Sequence, residues 1–142
     1  MRNLIIKKTI SLEAAKTLVT RAVQKATELG VGAAVAVVDE GGHLICFERL
    51  DGTIVVAANI TIGKAITALT FNRPGIVLEN TVSDERKAMM AVTGVTTMVP
   101  LMGSYPIKID GETVGAIAVG GAVTGQNDEI IVQYALENFS DS

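Results

Sequence analysis

The chain holds a single cysteine and a single histidine in 142 residues, and these two scarcities exclude most metal chemistry. One Cys and one His cannot build a structural zinc site or a multi-histidine centre within one chain. Cys46 has no partner for an internal disulfide, which suits a reducing compartment and predicts residence in the cytoplasm. A Cys46–His43 dyad is disfavoured, because an odd spacing along a strand sends the two side chains to opposite faces. Aromatics are few, three Phe and two Tyr, and the formal net charge is -3. A nucleic-acid partner would need a basic stripe or a stacking platform, and the chain offers neither. No apolar run reaches the ~20 residues of a membrane span, so no membrane partner is expected. The opening MRNLIIKKTI is too short in apolar residues for a signal peptide and lacks a cleavage-type segment.

What is abundant is aliphatic surface. Hydrophobic residues make up 49% of the chain and the mean hydropathy is +0.42, high for a soluble monomer. The length suits one domain, residues 1–142. Such a domain hides roughly 70% of the surface its unfolded chain exposes and needs no disulfide or structural metal. The surplus apolar surface predicts contacts between copies, hence a homo-oligomer.

Periodicity supplies the elements. Ser11 is placed to cap a helix over Leu12 to Leu29, with Leu12, Ala15, Leu18, Val19, Ala22 and Ala26 on one stripe and Gly30 as its stop. Ala33 to Asp39 reads as a buried strand, Glu40-Gly41-Gly42 as a turn and His43 to Arg49 as the return strand of a hairpin. Strict alternation would put His43, Ile45, Phe47 and Arg49 on one face and Leu44, Cys46 and Glu48 on the other. Asp51 or Thr53 is expected to cap a second helix, Ile54 to Phe71, which Asn72-Arg73-Pro74-Gly75 ends. In the irregular middle, 76 to 102, Ser83 can cap a short helix carrying Asp84 and Glu85 in its first turn. Tyr105 to Ile109 and Thr113 to Val119 form a second hairpin about Asp110-Gly111-Glu112. A last helix, capped by Asn127 or a neighbour, runs to about Phe139. Two hairpins favour an antiparallel sheet.

Few motifs survive inspection. Gly63-Lys64 is not a phosphate loop: Ala58 and Ala65 stand where glycine and Ser/Thr are required. The run from Gly120 to Gly125 before a helix could cradle an anion through its amides, or be a plain loop, and Asp128 and Glu129 favour a neutral ligand group there. Thr61, Lys64 and Thr67 share one stripe of an otherwise apolar helix. That stripe is either a strip facing solvent or another subunit, or a site where Lys64 meets a carboxylate from Asp51 or from a ligand. Arg49 and Asp51 flank a tight turn. They serve as a local salt bridge and helix cap, or Arg49 holds a ligand carboxylate or propionate in bidentate fashion. His43 is a surface residue beside a turn or an axial ligand to a tetrapyrrole iron. Met89, Met90, Met98 and Met102 fill gaps in a core or interface, or line a binding surface.

In order along the chain, these residues resemble a known family. Val37-Val38-Asp39-Glu40-Gly41-Gly42-His43-Leu44 and Phe47-Glu48-Arg49-Leu50-Asp51-Gly52 resemble the "VVD-xx-G-x-L-x-x-F-x-R-M-D-G" block of the GlcG/HbpS family, which includes the C-terminal domain of PduO. Lys64-Ala65-Ile66-Thr67-Ala68 is similar to its "KA-x-TA" helix. Tyr105-Pro106-Ile107, Asp110-Gly111 and Val114 to Gly121 resemble its "GGIPI…DG…VGAIGVSGG" block, and Asp128-Glu129 the acidic pair that opens its last helix. The match departs at Gly103-Ser104-Tyr105, at Val119-Gly120-Gly121, which lacks the serine, and from Asn72 to Asn80.

The resemblance implies a mixed α/β fold, a profilin-like or GAF-like α/β/α sandwich around a five-stranded antiparallel sheet. It implies symmetric homo-oligomers built on dimers, up to octamers. It implies an oligomeric small-ligand-binding protein for haem or a corrinoid such as cobalamin, accessory to diol, glycerol or glycolate metabolism, and more a binder than a classical enzyme. The ligand set is then Arg49, Asp51, Lys64, Thr67, Tyr105, Gly120, Gly121 and Glu129, with His43 as the axial ligand to haem iron. One branch of the family is a lyase acting on hydroxylaminobenzoate. In a lyase of that type Lys64, Arg49 and Asp51 would orient an acid substrate, with Asp51 or Glu129 as general base. A structural accessory subunit is the remaining alternative.

Overall fold

The computed structural model describes residues 3–139. Helix α1 (Leu12–Leu29) is followed by strands β1 (Ala34–Asp39) and β2 (Leu44–Arg49), then helices α2 (Ala57–Phe71) and α3 (Gly75–Asn80). A π turn (Thr81–Glu85) and a 3-10 helix (Lys87–Gly94) lead to β3 (Ser104–Ile109), β4 (Glu112–Gly120) and α4 (Gly125–Leu136). The strands form one antiparallel sheet in the order β2-β1-β4-β3. Among the described residues the sheet has four strands, not the five expected. The stretch ahead of α1 gives one backbone bond to the sheet, Ile10 N–H to the Val114 carbonyl at 3.0 Å, and builds no ladder among the described residues.

The alternation of β1 and β4 decides the layers. Val35 and Val37 of β1 and Ile117 and Val119 of β4 face α1 and α4, meeting Leu18, Val19, Ala22, Ile131 and Val132. Ala36, Val38, Ala116 and Ala118 face the other way and meet Ala65, Ala68 and Leu69 of α2. The α2 side is therefore built almost entirely from small residues, which lets the helix axis approach the sheet closely.

Local chemistry sets the element ends. Ser11 accepts the Ala14 N–H at 3.0 Å, and Gly30 closes α1 at φ 70°. Asn72 ends α2 in the left-handed region at φ 53°. Three expected caps are corrected. Helix α2 starts three residues late, with Val56 at its N-cap and no side-chain cap bond. Thr53 instead turns its hydroxyl to the carbonyls of Leu50 (2.7 Å) and Ala33 (3.2 Å), pinning the turn to the sheet. Ser83 sits inside the π turn and caps nothing. Helix α4 is capped by Thr124, whose hydroxyl accepts the Asn127 N–H at 3.1 Å.

The strict alternation along β2 also fails. The register slips by one residue between Val37↔Cys46 and Val38↔Leu44, leaving Ile45 as the extra residue of a β-bulge. Ile45 and Cys46 then both pack on the α1 side, while Phe47 packs on the α2 side.

Candidate functional site

A cleft of about 600 Å³ opens where β4 ends. Its floor is the Gly120-Gly121-Ala122 backbone together with Lys64 and Asp128. Ile54, Ala57, Ile60 and Leu101 make apolar walls, and Glu79 of α3 and the loop to Gly125 complete the rim. The volume lies within the ~300–1,000 Å³ usual for small-molecule sites.

Lys64 is 1% exposed, midway along a helix that is buried on most sides. Its Nζ donates to the Val119 carbonyl at 2.5 Å and lies 3.4 Å from Asp128 Oδ2. The other Asp128 oxygen accepts the Ala122 N–H at 3.0 Å. Burial pushes the Lys64 amine below its ordinary value, and the attraction of Asp128 only partly opposes this. Burial likewise pushes the Asp128 carboxyl up, against the pull of Lys64 and the Ala122 amide. Burial thus opposes the charged form of both partners, while each partner's charge favours that of the other. Gly103 makes the arrangement possible: at φ +97°, a Cβ there would lie 2.7 Å from Lys64 Nζ and 2.7 Å from Asp128 Cβ.

The loop under the cleft is held by its own side chains. Ala122 donates its N–H to Asp128 and its carbonyl accepts from Asn127 Nδ2 (2.8 Å), while the Asn127 N–H donates to the Thr124 hydroxyl. Those amides are no longer free for an anion. Val123 occupies the left-handed region at φ 73° with its side chain exposed, a strained setting for a β-branched residue.

A second polar cluster backs onto the first through Gly103. Tyr105 donates its hydroxyl to Glu129, Gln133 Nε2 donates to both at 3.1 Å, and the Gly103 N–H reaches Glu129 Oε1 at 2.8 Å. Burial, and then the Glu129 hydrogen bond, raise the Tyr105 phenol above its usual value. The adjacent residues Asp128 and Glu129 thus serve opposite sides of one glycine.

The structure sorts the residues singled out in the sequence. Lys64, Gly120 and Gly121 line the cleft. Arg49 lies opposite Ala34, which in turn faces Gly120, so it shares that end of the sheet. Asp51 is exposed beside Gly52 of the rim. The partner proposed for Lys64 is corrected: it is Asp128, not Asp51. Thr67 is not in the cleft; its hydroxyl donates to the Gly63 carbonyl (2.7 Å) and accepts the Val99 N–H (2.8 Å). The Thr61–Lys64–Thr67 stripe therefore faces inward, and Thr61 Oγ1 is buried against Gly120 with no hydrogen-bond partner. Tyr105 and Glu129 belong to the second cluster. His43 is exposed at the β1–β2 turn beside Asp39, at the Asp39 end of β1, about 17 Å along the strand from Ala34 and the cleft.

Sequence reasoning missed Asp128, Glu79 and Gly103 as site residues. The Asp128-Glu129 pair was visible, but neighbours on a helix point about 100° apart, and the sequence does not say which points inward.

For a tetrapyrrole, the cleft supplies apolar walls in Ile54, Ala57, Ile60 and Leu101. None of the residues lining the cleft carries a side chain that commonly ligates haem iron; the Met102 thioether is such a group, packed against Gly125 of the rim, where its Sδ would lie 2.9 Å from a Cβ. Among the described residues no group of three or more His, Cys, Asp and Glu side chains could hold a metal ion, and no helix is long and apolar enough to cross a membrane.

Comparison with known proteins gives a consistent picture. The family described as "Haem degrading protein HbpS-like" matches residues 10–137. Protein GlcG of Escherichia coli (strain K12) is 30% identical over 110 residues, 78% of this chain and 80% of GlcG. The crystal structure of Klebsiella pneumoniae protein ORFY superposes with a TM-score of 0.90 at 26% identity, covering 100% of this chain and 98% of that one. A PduOC:haem complex superposes with a TM-score of 0.83 over 91% of this chain and 94% of its own; at 23% identity it supports the fold alone.

Proposed function

The chain belongs to the HbpS-like family, and from that premise we propose that it is a small-ligand-binding protein whose ligand occupies the cleft floored by Lys64 and Asp128, with haem as its first candidate. The observation that carries the reading is an apolar-walled cleft, floored by one buried amine, in a chain matched to a family described as haem degrading. Haem would supply the redox chemistry of its own iron. The chain's part is to cover the macrocycle with Ile54, Ala57, Ile60 and Leu101, and to present the Met102 thioether at the rim. Arg49, at the same end of the sheet, is suited to a propionate. His43 stays the alternative iron ligand, by way of a site outside the cleft or shared between copies. Cytoplasmic residence, a dimer-based oligomer and an accessory role in glycolate, glycerol or diol metabolism complete the reading.

Titration of the purified protein with haemin, followed in the visible spectrum, tests it. A saturable shift is expected, weakened about tenfold, or roughly 1.4 kcal/mol, in Ile54→Glu, whose side chain is largely exposed and whose change spares the core. His43→Ala should titrate like the parent. No saturable shift removes haem, and loss of the shift in His43→Ala moves the iron out of the cleft. Hydroxocobalamin is the second titrant, and a shift with it alone would make the ligand a corrinoid. A catalytic reading is favoured by one observation, the Lys64–Asp128 pair at the cleft floor.

A further inference from the structure

The Lys64–Asp128 pair is hard to explain as a stabilising device. A buried ion pair costs desolvation on both sides, and apolar residues of similar volume often do as well or better. Yet several features keep this amine where it is. The Val119 carbonyl and Asp128 hold Nζ from two directions. Gly103 withholds a side chain that would sit 2.7 Å from Nζ. Both groups lie at the floor of a cleft with apolar walls and a volume of about 600 Å³, where Lys64 is covered almost fully and Asp128 slightly less so. An amine in such a setting is the usual nucleophile for carbonyl compounds, and a neighbouring acid supplies the proton they need.

We propose that Lys64 is a carbonyl-reactive lysine, forming a Schiff base with short aliphatic aldehydes or ketones that enter the cleft, with Asp128 as its proton donor and acceptor. Proton transfer within the pair gives a neutral amine and a neutral carboxylic acid, the direction in which burial biases both groups. Nζ attacks the carbonyl carbon and a C–N bond forms. The C=O π pair moves to oxygen, which takes the proton from Asp128. The Asp128 carboxylate then removes a proton from the new ammonium and returns it to the hydroxyl. Water leaves, and the nitrogen lone pair closes the C=N bond. The products are one iminium, one carboxylate and one water, so the charge pair at the floor is restored and no oxidant or reductant is consumed. Glu79 across the rim and the Val119 carbonyl favour the cationic iminium over a free anion.

The inference rests on the cleft as a ligand site but not on haem. The full-length protein is incubated near neutral pH with propanal and cyanoborohydride, which reduces an imine to a stable propyl group, and the modified lysines are mapped by peptide mass spectrometry. Lys64 should be propylated at least tenfold faster than exposed Lys8 or Lys87, since its amine is held beside an acid that supplies the proton, and a placed general acid is worth about tenfold or more. Asp128→Asn, which keeps the amine but not the acid, should slow Lys64 labelling by about tenfold. Labelling of exposed lysines with Lys64 untouched, or touched only after denaturation, overturns the proposal. The wild-type map decides this even if the variant misfolds. A normal haemin titration beside an unlabelled Lys64 removes the carbonyl chemistry and keeps the haem site; a labelled Lys64 without haemin binding does the reverse.

Discussion

An ammonium with 2% of its side chain exposed, beside a carboxylate with 11% exposed, is sensitive to loss of either partner. Removing one end strands the other, and breaking such a pair usually costs about 3–5 kcal/mol. Lys64→Met and Asp128→Asn should each lower the unfolding free energy by about 3 kcal/mol. The double variant should lose clearly less than the sum, because the introduced asparagine amide oxygen can still accept the Ala122 N–H and no charge is left behind. Urea unfolding of the four proteins checks this, and strict additivity would mean the pair is not coupled. The pH dependence has a definite sign. The folded amine is depressed below its ordinary 10.5, so on the alkaline side the unfolded state binds more protons at this site. The wild type should gain stability relative to Lys64→Met as pH rises towards 10.5. Asp128, raised from 3.8, works oppositely on the acid side: its contribution is lost as pH rises through its folded value.

At the scale of elements, strain collects in the loop between β4 and α4. Val123 holds φ 73° with an exposed side chain, where the left-handed conformation costs an L residue about 1–2 kcal/mol. Glycine removes that cost but gives back roughly 0.5–1 kcal/mol in chain entropy. Val123→Gly should therefore raise the midpoint of thermal unfolding slightly, and a fall would show that the valine is held by contacts at the cleft mouth. Helix α1 was legible in full, because Ser11 and Gly30 act on the backbone next to them. The start of α2 was not. Thr53 has the chemistry of a cap, yet its hydroxyl turns back to the Leu50 carbonyl and to that of Ala33, 20 residues away in the sheet. The bulge at Ile45 was invisible for a similar reason: it is a property of the β1–β2 register, not of either strand alone.

The whole molecule presents more apolar surface than its own core uses. Ile5 and Ile6 ahead of α1 are 90% and 92% exposed, and Val55 beside the cleft is 82% exposed. Exposed aliphatics that follow one another along the chain, Leu4-Ile5-Ile6 and Ile54-Val55-Val56, are the kind of surface that association covers, which supports the proposal of a homo-oligomer. Light scattering coupled to gel filtration should give a mass at least twice that of one chain. Ile5→Asp or Val55→Asp should reduce that mass with the far-ultraviolet spectrum unchanged. A monomeric wild type would overturn the proposal.

By itself the sequence determined the helix-hairpin-helix-hairpin-helix order and the antiparallel pairing, because period and turn chemistry are local. It also determined the family, because the blocks around Arg49-Leu50-Asp51-Gly52, Lys64 and Val114 to Gly121 carry that resemblance in order. Only the tertiary structure decided what those blocks do together. It turned the polar stripe of α2 inward against β4, gave Lys64 to Asp128 rather than to Asp51, and drew Glu79 and Leu101 into the same cleft. The reason is distance along the chain: Lys64 and Asp128 are 64 residues apart, and which carboxylate reaches a buried amine is settled by how the sheet and its two helix layers close, not by any neighbouring residue.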